Sequence, residues 1–251
     1  FNPTVGQSYL DRANLLDPPG AEGLEKTEAY EEAARDLTRL SRSAQTNNTA
    51  LIPLLEFEKA VDLLPEGFQG PFADQIVKSG AGLNQIAAAF NIPAFFDPAK
   101  IANAEDAQKA ANRLRDALTA GFSGTAGSEV MEKFVGSSPS LLNTKEGAKR
   151  LISGVRQANK AVDAEYQFSV DYKGNPRKRG AEFRKAYPPR YWLERSKADF
   201  YFSNNRKLAA QITANPNFNF KIGNQTARQF FNENYAGIGG AAGVLHLING
   251  M

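Results

Sequence analysis

The sequence predicts a mainly α-helical protein of irregular multi-helix architecture, set in two lobes with a long central helix and an extended Asn/Phe/Gly-rich C-terminal segment. Three observations point there. Apolar residues recur at three- and four-residue steps among charges, no alternating stretch reaches convincing strand length, and Pro, Gly and cap residues punctuate the periodic stretches. The boundaries fall at 1–122 for an acidic helical lobe, 128–213 for a basic helical lobe, and 214–251 for a tail ordered by its neighbours.

Between Glu25 and Arg42, the residues Tyr30, Ala33, Ala34, Leu37 and Leu40 form one apolar helix face, ahead of a polar break at Thr46, Asn47 and Asn48. Leu54, Leu55, Val61 and Leu64 then predict a shorter helix opened by Pro53 and closed by Pro65 and Gly67. Leu83, Ile86, Ala87 and Phe90 predict another, stopped at Pro93, with Phe95 and Phe96 turned inward. Asn103 caps a helix whose face is Ala107, Ala110, Leu114 and Ala117. Gly121 to Gly127 reads as a flexible bridge, and Ser128 as the cap of a brief helix through Met131, Phe134 and Val135.

Asn143 with Glu146 predicts a capping box that opens the long helix. Its rhythm of Leu151, Val155, Ala158, Val162 and Tyr166 carries it to about Phe168. Lys173-Gly174-Asn175-Pro176 is a turn, because Gly accepts positive φ and Pro fixes the exit. Pro188-Pro189 opens a further helix with Trp192, Ala198, Tyr201, Leu208 and Ile212 on its apolar face. Asn215 to Asn224 favours a turn or short strand, Gln225 to Tyr235 resumes as helix, and a glycine run follows from Gly237 to Gly243.

Charge is unevenly spread. Residues 1–144 carry 12 Lys/Arg against 19 Asp/Glu, whereas residues 145–210 carry 16 against 7. Fields of one sign select partners and orient their approach. The total of +3 conceals this split. There is no cysteine and only one histidine, His246, so thiol chemistry is excluded and a Ser-His-Asp relay would have to be built on that single imidazole. No catalytic, cofactor-binding or metal-ligating set is assigned, and no small-molecule substrate is expected. No run of 18 apolar residues occurs, so a membrane-spanning helix and membrane contact are not expected.

The glycine run resembles a dinucleotide fingerprint only on paper. That chemistry needs a preceding strand and an acidic residue about 20 positions onward, and eight residues follow Gly243 in this sequence. A tail or a contact with a neighbouring chain is expected there instead. Glu56 and Glu58 lie two apart and point to different sides of a helix, while Glu22, Glu25, Glu28, Glu31 and Glu32 read as a solvated acidic face. No pair of carboxylates flanks a recognisable sugar cleft. The basic cluster Lys173, Arg177, Lys178, Arg179, Arg184, Lys185, Arg190, Arg195 and Lys197 is interleaved with Phe183, Tyr187, Tyr191, Trp192, Phe200 and Tyr201.

Such a pattern can track a phosphate backbone and stack bases. It can equally lay long basic stems over a hydrophobic seam whose cationic heads pair with acidic groups. Arg177, Lys178, Arg179, Arg184, Lys185, Arg190, Tyr191 and Trp192 are therefore the candidate residues for contact with a nucleic acid or a partner. Asn204, Asn205, Asn215, Asn217, Asn219 and Asn224 are expected to bond the backbones of adjacent chains.

The words Phe134-Val135-Gly136-Ser137-Ser138-Pro139-Ser140-Leu141-Leu142-Asn143-Thr144-Lys145-Glu146-Gly147, then Arg150-Leu151-Ile152 and Ala164-Glu165-Tyr166, resemble a segment of helical tailed-phage and prophage virion proteins associated with the portal, the tail or DNA ejection. The resemblance covers about residues 120–185. It implies a non-enzymatic virion component, internal, portal-proximal or ejection-associated, present as a homo-oligomer among other virion proteins, with acidic and basic faces meeting between copies. Two alternatives stand beside it: a nucleic-acid-binding module using residues 173–207, which would contact DNA, and a cell-wall hydrolase with an unrecognised site.

Overall fold

The computed structural model describes residues 21–62, 84, 116, 118–136 and 144–250. The described chain is mainly helical, as the periodicity predicts. The helix expected over 80–97, most of that over 103–121, and the Asn143 half of the capping box lie outside the described residues.

Helix α1 runs unbroken over Ala21–Asp62, 42 residues. The expected break at Thr46–Asn48 and a second start at Pro53 are corrected. Ala33, Leu37, Leu40, Ala44, Leu54 and Val61 are all buried and share one alternating three-and-four spacing across the predicted break. That spacing keeps a seam facing one partner helix, and packing along it outweighs local breaker signals.

The partner is the long helix α3, Lys145–Asp171, whose buried Ala148, Leu151, Val155, Ala158 and Val162 carry the matching stripe. It starts at Thr144, whose side chain accepts from the Gly147 N–H at 2.9 Å, so the cap stands one residue later than Asn143. The two helices run antiparallel. Asp62 meets Lys149 at 3.2 Å near one end, and Tyr166 and Val170 pack on Ala34 and Leu37 near the other.

Between them in sequence, α2 (Ala126–Val130) passes directly into a π-helical turn, Met131–Val135. The helix begins after Thr125 rather than at Ser128. Nor is 121–127 a flexible bridge: Phe122 and Thr125 are buried, and the Thr125 hydroxyl donates to the Phe122 carbonyl at 2.6 Å. The aromatic side chain needs burial, which draws the turn onto the core.

After α3, a 3-10 turn at Pro176–Lys178 is capped by the Asn175 side chain, which accepts from the Arg177 N–H at 3.0 Å. Helix α4 follows over Arg179–Ala186 and α5 over Pro189–Asn204, opened by proline as predicted. Helix α6, Arg206–Ala214, is separate, because the chain leaves helical geometry at Asn205. Helix α5 packs on α3 beside α1, so that single side chains of α3 reach both. Its Asp199 meets Arg156, while its Ser203 carbonyl accepts from Lys149 at 3.3 Å.

The expectation of an extended tail over 214–251 is corrected. A short antiparallel hairpin pairs β1 (Lys221–Ile222) with β2 (Gln225–Thr226), and helices α7 (Ala227–Asn234) and α8 (Gly240–Asn249) follow. Thr226 and Gln229 close a capping box on α7. Phe218, Phe231, Val244 and Leu247 bury with Ala198, Phe202 and Ile212 in one cluster, so the core crosses the proposed boundary at 213/214. Leu118 and Phe122 likewise share a cluster with Val130 and Val162, across the boundary near 122.

The glycine run is a compact corner: Gly239 and Gly240 sit at φ +89° and +61°, and a Cβ on Gly243 would fall 1.6 Å from the Ile238 carbonyl oxygen. Only glycine fits that approach. Several asparagines expected to serve neighbours bond their own chain. Asn204 and Asn205 donate to the Phe200 and Tyr201 carbonyls, and Asn215 accepts from the Asn217 N–H at 3.2 Å. A short amide reaches its own backbone first.

Candidate functional site

The predicted basic and aromatic residues separate by depth. Arg177, Lys178, Arg184, Lys185 and Arg190 are exposed, whereas Tyr191 is half-buried and Trp192 is only 5% exposed. Beneath the cations the rings form a continuous internal chain. Tyr172 stacks on Phe168 at 5.5 Å, Phe168 meets Phe183 at 5.5 Å, Phe183 meets Tyr187 at 5.3 Å, and Tyr187 meets Tyr191 and Trp192 at 5.5 and 5.8 Å. Phe183 and Trp192 belong to the core, and the other rings pack against it at its edge. Phe183 and Trp192 are thereby withdrawn from stacking on bases, while Phe168, Tyr172, Tyr187 and Tyr191 stay partly exposed. Arg190 is held by Glu194 at 2.6 Å, and Arg195 lies over the Tyr191 ring at 5.5 Å.

Arg179 is structural. It is buried and donates to the Ala33 carbonyl and to Asp36, both at 3.2 Å. Comparable pairs join the acidic and basic halves elsewhere: Arg156 bridges Glu58 at 2.6 Å and Asp199 at 3.0 Å, and Asp62 pairs with Lys149 and Arg206. Part of the charge split visible in the sequence, through Asp36, Glu58 and Asp62, is therefore satisfied inside one molecule.

The same segment forms one wall of a cleft. One space, of about 180 Å³, is lined by Thr125, Ser128, Glu165, Phe183, Tyr187 and Trp192 among others. An adjoining space of about 480 Å³ adds Glu32, Asp36, Arg39, Arg177 and Arg179, and both are bordered by Gly124, Glu165, Gly180, Phe183 and Arg184. Three elements set this geometry: α1 supplies Arg39, fixed by the Gly124 carbonyl at 2.8 Å; α3 supplies Glu165; and α4 supplies Arg184.

Glu165 accepts from the Ala126 N–H at 2.8 Å. Burial pushes its carboxyl above the ordinary value of 4.5, opposed by that N–H and by the Arg39, Arg179 and Arg184 charges. The folded state thus holds the proton more tightly than the unfolded chain. This group's contribution to stability is complete below 4.5 and is lost as pH rises through its folded-state titration.

Glu165→Gln should therefore melt with the parent protein in acid and above it near neutral pH. Thermal melts of both proteins across that range check the sign. A glutamine variant less stable at every pH would show that the carboxylate is required as an acceptor.

The sequence reading did not select Glu165, Arg39, Arg156 or Asp199. A signal existed for Glu165, which stands seven residues beyond Ala158 and fourteen beyond Leu151, on the stripe that α3 buries. Among the described residues, no group of three or more His, Asp or Glu side chains could hold a metal ion, and no helix is long and apolar enough to cross a membrane. A scan against protein-family models, a search of curated proteins and a search of solved structures each give no match.

Proposed function

We propose that the chain is a non-enzymatic structural component of a bacteriophage virion, internal, portal-proximal or ejection-associated. In this reading it assembles in several copies, with the basic surface of residues 173–190 seated on acidic side chains of the next copy. The resemblance over 120–185 supports the setting. The observation that carries the contact is the outward presentation of Arg177, Lys178, Arg184, Lys185 and Arg190 over rings that pack on one another, in a stretch with seven basic residues and one acidic residue, Glu182. A cationic surface whose rings are packed against one another and at most partly exposed favours recognition of charge over bases. Exposed Glu28 and Glu32 on α1 are the acidic counterpart.

A charge swap tests this reading. Arg184→Glu with Lys185→Glu should lower the assembled mass in low salt, and mixing it with a Glu28→Lys, Glu32→Lys protein should restore mixed assemblies. Unchanged assembly of the first variant, or no recovery on mixing, would overturn the reading. The same outward cations favour one second reading, contact with a nucleic-acid backbone. It would be supported by a monomer whose retention of duplex DNA is lost in the first variant and weakens steeply with salt.

A further inference from the structure

Where α3 meets α5 and the end of α8, one ammonium stands without a carboxylate of its own. Lys160 is half-buried and makes no ion pair among the described residues; its Nζ donates to a neutral oxygen, the Gly250 carbonyl just past α8, at 3.2 Å in an exposed hydrogen bond. The acid of α5 that acts on it is already taken. Asp199 accepts from Arg156 at 3.0 and 3.2 Å and from the Gln157 amide at 3.3 Å.

Arg156 and Gln157 stand four and three residues before Lys160 and so share its side of the helix. Arg195 of α5 reaches that side too, donating to the Gln157 amide oxygen at 3.2 Å and to the Tyr191 hydroxyl at 3.1 Å, both neutral. Lys160 therefore lies beside two guanidinia, of which Arg156 alone has carboxylate partners, Glu58 and Asp199. The other titratable groups nearby are half-buried Asp163, one turn onward on α3, and exposed His246, one turn before Gly250 on α8. Burial first, then Arg195 and Arg156, favour the uncharged amine against the pull of Asp199, and the Lys160 pKa falls below the ordinary 10.5. An uncharged lysine amine is a nucleophile.

We propose that Lys160 is a site of covalent modification by small acyl phosphates, its Nζ attacking the acyl carbon. The Nζ–C bond forms, the C–O bond to phosphate breaks, phosphate leaves with the electron pair, and the nitrogen releases its surplus proton to water. No further reactant is needed. The product amide is neutral, so the cation facing the C-terminal end of α8 is lost. This chemistry is independent of the virion reading.

Acetyl phosphate is the probe, with the occupancy of each lysine followed by peptide mass spectrometry. Near neutral pH Lys160 should be acetylated at least about threefold faster than exposed Lys173, Lys178 and Lys197, because more of it is uncharged. That ratio should shrink as pH approaches 10.5, where the exposed lysines lose their protons as well. Arg195→Gln, which keeps a hydrogen-bonding side chain in place, should slow Lys160 and leave the exposed lysines unchanged. Acetylation of Lys160 no faster than the exposed lysines near neutral pH, or a ratio that does not change with pH, would contradict the proposal in the unaltered protein. A Lys160 rate unmoved in an Arg195→Gln protein that melts with the parent would do so as well.

Discussion

Arg156→Ala should destabilise the fold by about 3–5 kcal/mol, the range expected when one partner of a buried ion pair is removed. Arg156 lies on α3 and reaches two elements at once, Glu58 of α1 at 2.6 Å and Asp199 of α5 at 3.0 Å. Asp199 is fully buried, and its other contact is the Gln157 amide at 3.3 Å. Burial opposes the charge on Arg156, but the two carboxylates outweigh it and the guanidinium pKa is raised. Truncation leaves the Asp199 carboxyl enclosed with the Gln157 amide as the hydrogen-bond donor that remains and Lys160 as the nearby positive charge.

Replacing the whole network by apolar residues would be far milder, since the favourable Coulomb energy largely offsets desolvation. Urea unfolding followed by circular dichroism measures the effect. A loss under about 1 kcal/mol would place this pair among solvated surface bridges and remove its role in joining α1, α3 and α5.

Phe231→Ala should cost about 3–5 kcal/mol, the usual penalty for emptying a large aromatic site in a core. The ring is fully buried and meets Phe202, Phe218, Phe230 and Tyr235 at centroid distances of 5.6, 5.9, 5.3 and 5.9 Å. Phe218 adopts a left-handed backbone, φ 52°, while its side chain is buried in this cluster. A non-glycine residue in that region is strained, and packing on Phe231 is what holds it there. Hydrogen exchange should show faster exchange of the 227–247 amides in the variant, with smaller changes in α3. If the C-terminal region were instead ordered only by neighbouring chains, the isolated protein would show equal exchange with and without the ring.

The long helix α3 and the proline-led start of α5 were legible because each rests on a local rule, a 3.6-residue rhythm and a fixed φ. The turn at 173–176 is present, but the Asn175 side-chain cap makes it, and Gly174 does not take the positive φ expected of it. The C-terminal unit was legible only in part: the turn or short strand over Asn215 to Asn224 and the helix from Gln225 to Tyr235 are present, whereas the packing of that region into a core was not read. Asn, Gly and Phe there suggested extension, yet the asparagines close local turns and the glycines make the corner between Phe231 and Val244. Local composition cannot report that Phe202 and Ile212, from earlier in the chain, complete the core.

Similar reasons hid the continuity of α1. Its seam is set by α3, more than 80 residues onward, and Glu58 standing on the same spacing as Leu54 and Val61 was the trace of its buried partner. Of the candidate site, the cationic character of 177–190 was readable from the sequence. The burial of its rings, the internal role of Arg179 and the cleft facing Glu165 required the third dimension.

The functional account rests on charge remaining outside the molecule after the internal pairs are made. Sedimentation velocity of the unaltered protein across a salt series tests it most directly. The account predicts assemblies larger than one chain in low salt that dissociate as salt screens the exposed cations, with folding intact because the buried pairs are screened little. A protein that sediments as a single chain at every salt concentration would contradict it.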